Sequence, residues 1–335
     1  MVGKWHVAAH EKKYKGWSPF YGPNRRGFNW TKETYGSHTY SGRQERSEDE
    51  AYPSDEVTQE AIEFLKQKHE TPFFLYVSHY YVHSPVQVKS EALLSKYRLK
   101  MKDGYSEKQI EYAAFLDRFD HYVGQLLDVI DQEGYTDNTM IIFTSDNGGN
   151  PMYAFNRPFR GSKWNLYEGG IRLPLIVKWQ GKIDSGAVCD IPVIQLDLMP
   201  TFLDMINGDN KYLKMDGQSL IPIFEKGNLT SLLDRSFIWH FPYYHPEGDA
   251  YYLAKEQIGI EDEQVSRTKP QSAIRKGIYK LIYFYEENRS ELYNLENDPS
   301  EQTNLASCEI ELTNQLTKEL LAKLENMNAR ITRKK

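Results

Sequence analysis

The stretch from Tyr112 to Gly149 constrains this chain more than any other. Tyr112, Phe115, Leu116, Phe119, Val123, Leu126, Leu127 and Ile130 recur at helical spacing and predict a long amphipathic helix. Gly134 stands where such a helix stops, because a residue without Cβ takes the left-handed turn that ends one. Met140-Ile141-Ile142-Phe143-Thr144 is then a short unbroken apolar run, the mark of a buried strand. Ser145-Asp146-Asn147-Gly148-Gly149 follows directly. A helix feeding a buried strand that ends in a polar loop is the unit of an α/β layer, and in open α/β sheets ligands bind past the carboxyl ends of the strands.

The same grammar recurs on both sides. Asp55 opens a helix with Val57, Ala61, Ile62 and Leu65 on one face, and Pro72 to Val77 reads as a buried strand. Leu173 to Val177 is another strand, and Asp197 is placed to N-cap a helix running through Leu203 to Ile206. Between Glu11 and Pro53 lies a long loop region rich in Gly, Tyr, Trp, Asn, Arg and Ser. After Gly227 the elements become short strands, Phe237-Ile238-Trp239, Ala273-Ile274-Arg275, Tyr279 to Tyr283 and Glu291 to Leu295, with a hairpin turn at Lys276-Gly277. A last helix carries Leu312, Leu316, Leu320 and Leu324 at spacing four. The 335 residues exceed the ~250–300 that one core serves. Residues 1–227 are therefore expected to form an α/β domain, a mostly parallel sheet flanked by helices, and residues 228–335 a small α+β subdomain.

Composition narrows the partners. A formal net charge of −6 provides no general basic field to gather nucleic acid, although a local pocket for a small anion stays open. No run approaches the ~20 apolar residues of a membrane span. Cys189 and Cys308 form no C-x-x-C pair and hold no zinc cluster, and their spacing does not say whether they pair. Met1 to His6 has no apolar run of signal-peptide type and starts straight on chemically capable residues, so an N-terminally truncated chain is expected. Strands lying upstream would leave this chain exposing apolar surface and poorly soluble. Oligomeric state is not legible, and periplasmic or secreted location would follow only from a signal peptide ahead of Met1.

Four clusters carry chemistry. Asp146 and Asn147 offer a carboxylate beside an amide oxygen, two hard donors suited to calcium or magnesium, in a sequence that also makes an ordinary Asp-Asn-Gly-Gly turn. Lys4 and His6, two apart in Gly3-Lys4-Trp5-His6, put a fixed cation and a neutral-pH proton carrier on one side of an extended segment. Lys163, in Phe159-Arg160-Gly161-Ser162-Lys163, can face an oxyanion, while Arg160 and Arg172 read as scaffold and Glu168-Gly169-Gly170 as a turn feeding a strand. His83, in Val82-His83-Ser84-Pro85 just past a strand, is placed for acid–base work. His79, His240 and His245 are weaker candidates, with His240 able to reach a substrate from the small subdomain.

Taken in order, Gly3-Lys4-Trp5-His6, Val82-His83-Ser84-Pro85, Thr144 to Gly148, Gly161-Ser162-Lys163 and Glu168 to Pro174 resemble the motifs of the formylglycine-dependent sulfatases of the alkaline-phosphatase superfamily. The tail, Lys280-Leu281-Ile282 and Glu291 to Glu301, resembles that family's terminal subdomain. The resemblance implies an alkaline-phosphatase-like fold and hydrolysis of a sulfate ester, a small molecule or a glycan, with a sulfated carbohydrate favoured by family frequency. It also implies Asp146 and Asn147 as ligands of calcium, with magnesium second, and Lys4 and Lys163 on the sulfate oxygens. His6 would hydrogen-bond the formylglycine, and His83 would contact the sulfate and protonate the leaving oxygen.

The departures are as informative. The family's C-x-P-x-R motif, whose cysteine becomes formylglycine, and its preceding pair of aspartates occur nowhere in these 335 residues. Activity of the chain by itself is therefore open. A phosphatase or phosphodiesterase of the same superfamily is an alternative that Asn147 disfavours, since zinc-using relatives need histidine there. A non-catalytic remnant that binds anions or glycans, using aromatics between Trp17 and Trp30, is the other.

Overall fold

The computed structural model describes residues 1–6, 17–38, 50–101, 104–154, 156–208, 214–244 and 269–331. They fall into two compact units, Met1–Asn138 and Thr139–Lys335. His245 lies outside the described residues.

In the first unit β1 (Val2–Gly3) pairs in parallel with β2 (Val77–Ser78), Val2 opposite Val77. The apolar run from Pro72 enters the sheet only at its last residue. Helix α1 (Glu56–Leu65) starts as expected, with the Asp55 carboxylate accepting from Thr58 N at 2.8 Å. Its apolar face joins Val57 and Ala61 to Val2 in a core flanked by Trp30, Val77 and Leu126. Helix α2 (Glu91–Lys100) precedes the long α3 (Glu107–Gln132), whose end is followed by Gly134 at φ +74°. The buried stripe of α3 differs from the one its leucines suggest. Leu116 and Leu127 are exposed, whereas Arg118 and Tyr122 are buried. Arg118 tolerates burial because its guanidinium donates to the carbonyls of Ala51 at 2.7 Å and Glu50 at 3.1 Å.

In the second unit β3 (Met140–Thr144) pairs antiparallel with β4 (Leu175–Trp179), and α4 (Glu168–Ile171) is a single turn just before β4. Among the described residues, parallel strand pairing is thus confined to β1, β2 and a bridge from Val2 to Lys32. Ile176 is 62% exposed on β4. Helix α5 (Leu198–Met205) begins after Asp197, but the Asp197 side chain does not cap it. Fully buried, it takes a two-point ion pair from Arg235, at 2.7 and 2.8 Å. Short turns α6 (Ile221–Phe224) and α7 (Thr230–Leu233) lead to an antiparallel sheet ordered β5 (Ser236–Phe241), β6 (Gln271–Lys276), β7 (Tyr279–Phe284) and β8 (Arg289–Asn294). Gly277, at φ +58°, makes the hairpin turn between β6 and β7. Helix α8 (Ile310–Asn326) lays Leu316, Leu320 and Leu324 on Ile274, Leu281 and Leu292. The opposite face packs Ala273, Ile282 and Tyr293 against Leu166 and Tyr167, so this sheet is buried on both sides.

Candidate functional site

In the first unit Lys4 and His6 leave the end of β1. Lys4 N donates to Ser78 O at 2.7 Å, and a Cβ on Gly3 would meet that same oxygen at 2.1 Å. Only glycine, here at φ +91°, lets the two strands approach so closely. Lys4 is half-buried and His6 exposed.

His83 lies just past β2, in a loop fixed at several atoms. Its amide donates to Tyr80 O at 2.8 Å, and its ring Nδ1 donates to Ser84 O at 2.5 Å. A carbonyl can only accept, so the neutral ring carries its proton on Nδ1 and leaves Nε2 as the atom that takes up a second. The His83 carbonyl in turn accepts from Nε2 of His38 at 2.6 Å. His38 was not legible as a candidate. It is a lone histidine in a Gly/Tyr-rich stretch, and its partner lies 45 residues away. It is buried against Tyr80, Tyr81 and Phe115. Nearby, Tyr81 OH and Ser37 Oγ share a hydrogen bond of 2.7 Å, and Ser37 N donates to Asp55 at 2.9 Å. Buried His79 stands 3.7 Å from the same carboxylate, burial holding its pKa below the usual range.

Burial pushes the His38 imidazole down to about 4, against 6.5 in the unfolded chain. The unfolded state therefore takes up a proton first as pH falls. The stability His38 contributes is full above 6.5 and is lost on the way to 4. At 1.36 kcal/mol per pKa unit the loss is about 3 kcal/mol. The stability advantage of the native chain over His38→Asn is expected to shrink by that amount between pH 7 and pH 4 in denaturant titrations.

In the second unit three loops meet main chain to main chain. Gly148 N donates to Gly170 O at 2.9 Å, Lys163 N to Gly149 O at 3.1 Å, and Gly169 N to Arg160 O at 2.7 Å. A Cβ on Gly148 would lie 1.9 Å from Gly169 O, and one on Gly170 2.1 Å from Asn165 O. Asn156 clamps the junction, its Oδ1 accepting from Gly149 N at 2.9 Å and its Nδ2 donating to Gly149 O at 3.2 Å. Asp146, Asn147 and Lys163 are thus carried on one backbone scaffold at the end of β3. The Lys163 ammonium lies 4.7 Å from the Trp164 ring centroid.

Below this junction the Glu-Gly-Gly turn is more than a turn. Lys280, fully buried on β7, places its ammonium 2.9 Å from both Glu168 and Glu301. Glu301 Oε2 also accepts from Glu168 N at 2.6 Å. Burial first, then the neighbouring Glu168, raises the Glu301 carboxyl to about 7 against the pull of Lys280. Arg160 donates to Tyr293 OH at 3.0 Å and to Glu301 O at 3.2 Å, which is a scaffold role. His240, on β5, has Nδ1 bonded to Ser272 Oγ at 2.6 Å in the sheet and Nε2 to Arg330 O at 2.7 Å in the tail beyond α8, so both ring nitrogens are engaged in the terminal region.

Asp146 is exposed and has no hydrogen bond or ion pair among the described residues. The Asn147 amide donates through Nδ2 to Gly148 O at 3.0 Å, which commits its nitrogen and leaves its oxygen as a donor atom for a metal. This pair fits as two neighbouring oxygen ligands of a hard divalent cation, which takes about six to eight. Among the described residues no group of three His, Cys, Asp or Glu side chains could hold a metal by itself. Cys189 and Cys308 are exposed free thiols outside any C-x-P-x-R sequence, so neither fits a formylglycine. Among the described residues, no helix is long and apolar enough to cross a membrane.

A family model described as Sulfatase matches residues 1–208, and one described as N-sulphoglucosamine sulphohydrolase, C-terminal, matches residues 161–330. A protein named Sulfatase from Formosa agariphila is 32% identical over 278 residues, covering 78% of this chain and 46% of its own length. Human arylsulfatase H is 31% identical over 196 residues, covering 55% of this chain and 32% of its own. The chain thus spans less than half the length of these curated relatives. Among solved structures, Ps i-CgsB in complex with k-i-k-neocarrahexaose superposes with a TM-score of 0.71 at 24% identity, over 96% of this chain and 70% of the other. The PsFucS1 sulfatase from Pseudoalteromonas sp. gives 0.57 at 21% identity, over 86% and 56%. These likenesses establish the α/β, alkaline-phosphatase-like fold.

Proposed function

This chain belongs to the sulfatase family, and from that membership we propose that its protein hydrolyses a sulfate ester, releasing inorganic sulfate, with a sulfated carbohydrate as substrate. The observation that carries the reading is the two sulfatase models, which together run from residue 1 to residue 330. The family implies a formylglycine and a divalent metal in general.

Each assigned residue has chemistry suited to its part. Lys4 and Lys163 neutralise sulfate oxygens as negative charge moves onto them. His83, with Nδ1 tied to Ser84 O, carries the mobile proton on Nε2 and passes it to the departing alcohol oxygen. His6 is the hydrogen-bond donor assigned to the formylglycine. Asp146 and Asn147 would hold the metal, for which we propose calcium before magnesium; when bound it supplies fixed positive charge. Neither Cys189 nor Cys308 fits the formylglycine. A sulfate contact from His240 would require displacing Ser272 or Arg330 from its ring. We also propose residues 1–227 and 228–335 as the division between the sulfatase α/β domain and the terminal subdomain. The four-stranded sheet beginning at Ser236 supports that division.

Expressed as its gene encodes it, the protein is expected to release sulfate from a sulfated oligosaccharide and from 4-nitrophenyl sulfate in calcium buffer, and no phosphate from 4-nitrophenyl phosphate. Ion chromatography reads both products. Phosphate release without sulfate release would move the protein to the phosphatase reading. Retention of the sulfated sugar with no release of either ion would make it a binding remnant.

A further inference from the structure

We propose that the loop from Trp17 to Phe28 is a binding subsite for the sugar units flanking the sulfate, holding a sulfated oligosaccharide by ring stacking and by arginine. The proposal rests on the sulfated-carbohydrate reading above and adds to it a place on the molecule.

Charge separates this region from the rest of the protein. The chain carries a formal −6, yet its first 33 residues hold seven lysines and arginines and two acids, Glu11 and Glu33, the second accepting from Trp17 N at 2.6 Å. Within Trp17–Phe28 there are two arginines and no acid. An anionic ligand is the complement of such a patch.

The aromatic side chains are exposed, and the backbone beneath them is held. Phe20 is 65% exposed and Tyr21 51%. Ser18 Oγ accepts from the amides of Phe20 at 3.3 Å and Tyr21 at 3.2 Å, and Gly22 N donates to Ser18 O at 2.8 Å. A turn of 3-10 helix, Pro23–Arg25, follows. Arg26 places its guanidinium 5.4 Å from the Tyr21 ring centroid, and both arginines are exposed. Large apolar rings on an ordered loop at the surface mark a recognition surface, and beside arginine they suit a ligand with both apolar faces and anionic groups. A sulfated sugar has both.

Two indole hydrogen bonds tie the loop to the segment that carries Lys4 and His6. Trp5 Nε1 donates to Tyr21 O, and Trp17 Nε1 to Gly3 O, each at 3.0 Å. The main chain of Tyr21 is thereby fixed to Trp5, which stands between Lys4 and His6 in the sequence.

Binding, not turnover, tests this, with a hexasaccharide of iota-carrageenan type as probe and its desulfated form as control. By isothermal calorimetry on the full protein, Tyr21→Ala and the pair Arg25→Ala with Arg26→Ala are each expected to weaken binding of the sulfated probe about tenfold. Tyr21→Phe and Arg26→Lys are expected to stay within about threefold of the native protein, because ring and charge remain. Unchanged melting temperatures of all four show that the fold is intact, as expected for exposed positions. Native affinity in the alanine variants overturns the proposal, even if the protein releases sulfate. Equal binding of the desulfated probe, or stronger competition by a single-stranded oligonucleotide than by the sulfated sugar, also overturns it. Loss of binding in the alanine variants of a protein that turns over no ester upholds the subsite while the hydrolytic reading falls.

Discussion

Replacing Lys280 by methionine is expected to destabilise the protein by about 3–5 kcal/mol, because it leaves the Glu301 carboxylate buried without its cation and Glu168 with only the exposed Arg172, 3.8 Å away, as an ion-pair partner among the described residues. Glu168 and Glu301 are 2% and 0% exposed, and Lys280 lies 2.9 Å from each. Methionine replaces the aliphatic stem, so packing changes little and the loss reports the charge. The deficit also depends on pH, with a sign that distinguishes it from a packing defect. Glu301 is already raised to about 7 with the ammonium present, and removing a group that lowers it raises it further. A carboxyl with a raised folded pKa favours folding at pH values where it is protonated and loses that advantage as pH rises through the folded value. The variant should therefore lie nearer the native chain at pH 5 than at pH 8. Urea titrations at the two pH values check this, and a deficit equal at both would mean that the lysine acts through its volume.

His83→Ala is expected to lower kcat on a sulfated carbohydrate by ~10²–10⁴, the usual worth of a positioned general acid. This expectation rests on the hydrolytic reading, and its shape matters more than its size. A sugar alkoxide is a poor leaving group and needs the proton, whereas a nitrophenolate departs with little help. The loss on 4-nitrophenyl sulfate should accordingly be smaller by at least about tenfold. An equal loss on both esters would assign His83 to holding the sulfate and not to proton delivery. His38→Asn gives a useful contrast. Its shorter amide withdraws the donor from the His83 carbonyl without touching the His83 imidazole, so any change in rate then reports the position of the loop.

What the sequence revealed follows from the range of the forces involved. The long helix, the Met140 strand, the Asp55 cap and the leucines of α8 are legible because each depends on neighbours a few residues away. Helix α2 was not. Only Leu93 is fully buried among its residues, Leu99 is 87% exposed, and its support includes Arg98 pairing with Glu91 at 2.7 Å and Glu107 at 3.0 Å. Asp197 was legible as a helix start, but its partner Arg235 stands 38 residues on and claims the side chain. The Glu-Gly-Gly element illustrates the same limit. Its glycines are explained by close loop contacts, but the carboxylate of Glu168 answers to Lys280, 112 residues away. One signal was present in the text. A lysine inside Tyr279-Lys280-Leu281-Ile282-Tyr283, in a strand covered on both faces, cannot be buried without an acid beside it. The candidate site shows the same division. Asp146, Asn147, Lys163, Lys4 and His83 stand in short recognisable strings, whereas His38 and Asn156 act on main-chain atoms and leave no pattern.

The glycine junction at Gly148, Gly169 and Gly170 has a consequence for how such a protein diversifies. The loops carrying Asp146, Asn147 and Lys163 are registered mainly by carbonyls and amides, which every amino acid shares, with the Asn156 side chain as their clamp. Surrounding positions other than Asn156 can therefore change in size and polarity without disturbing where those three residues stand. The periphery of such a fold can change while the register of its central loops is kept. The cost of that freedom is concentrated at the glycines of the junction, where no side chain has room.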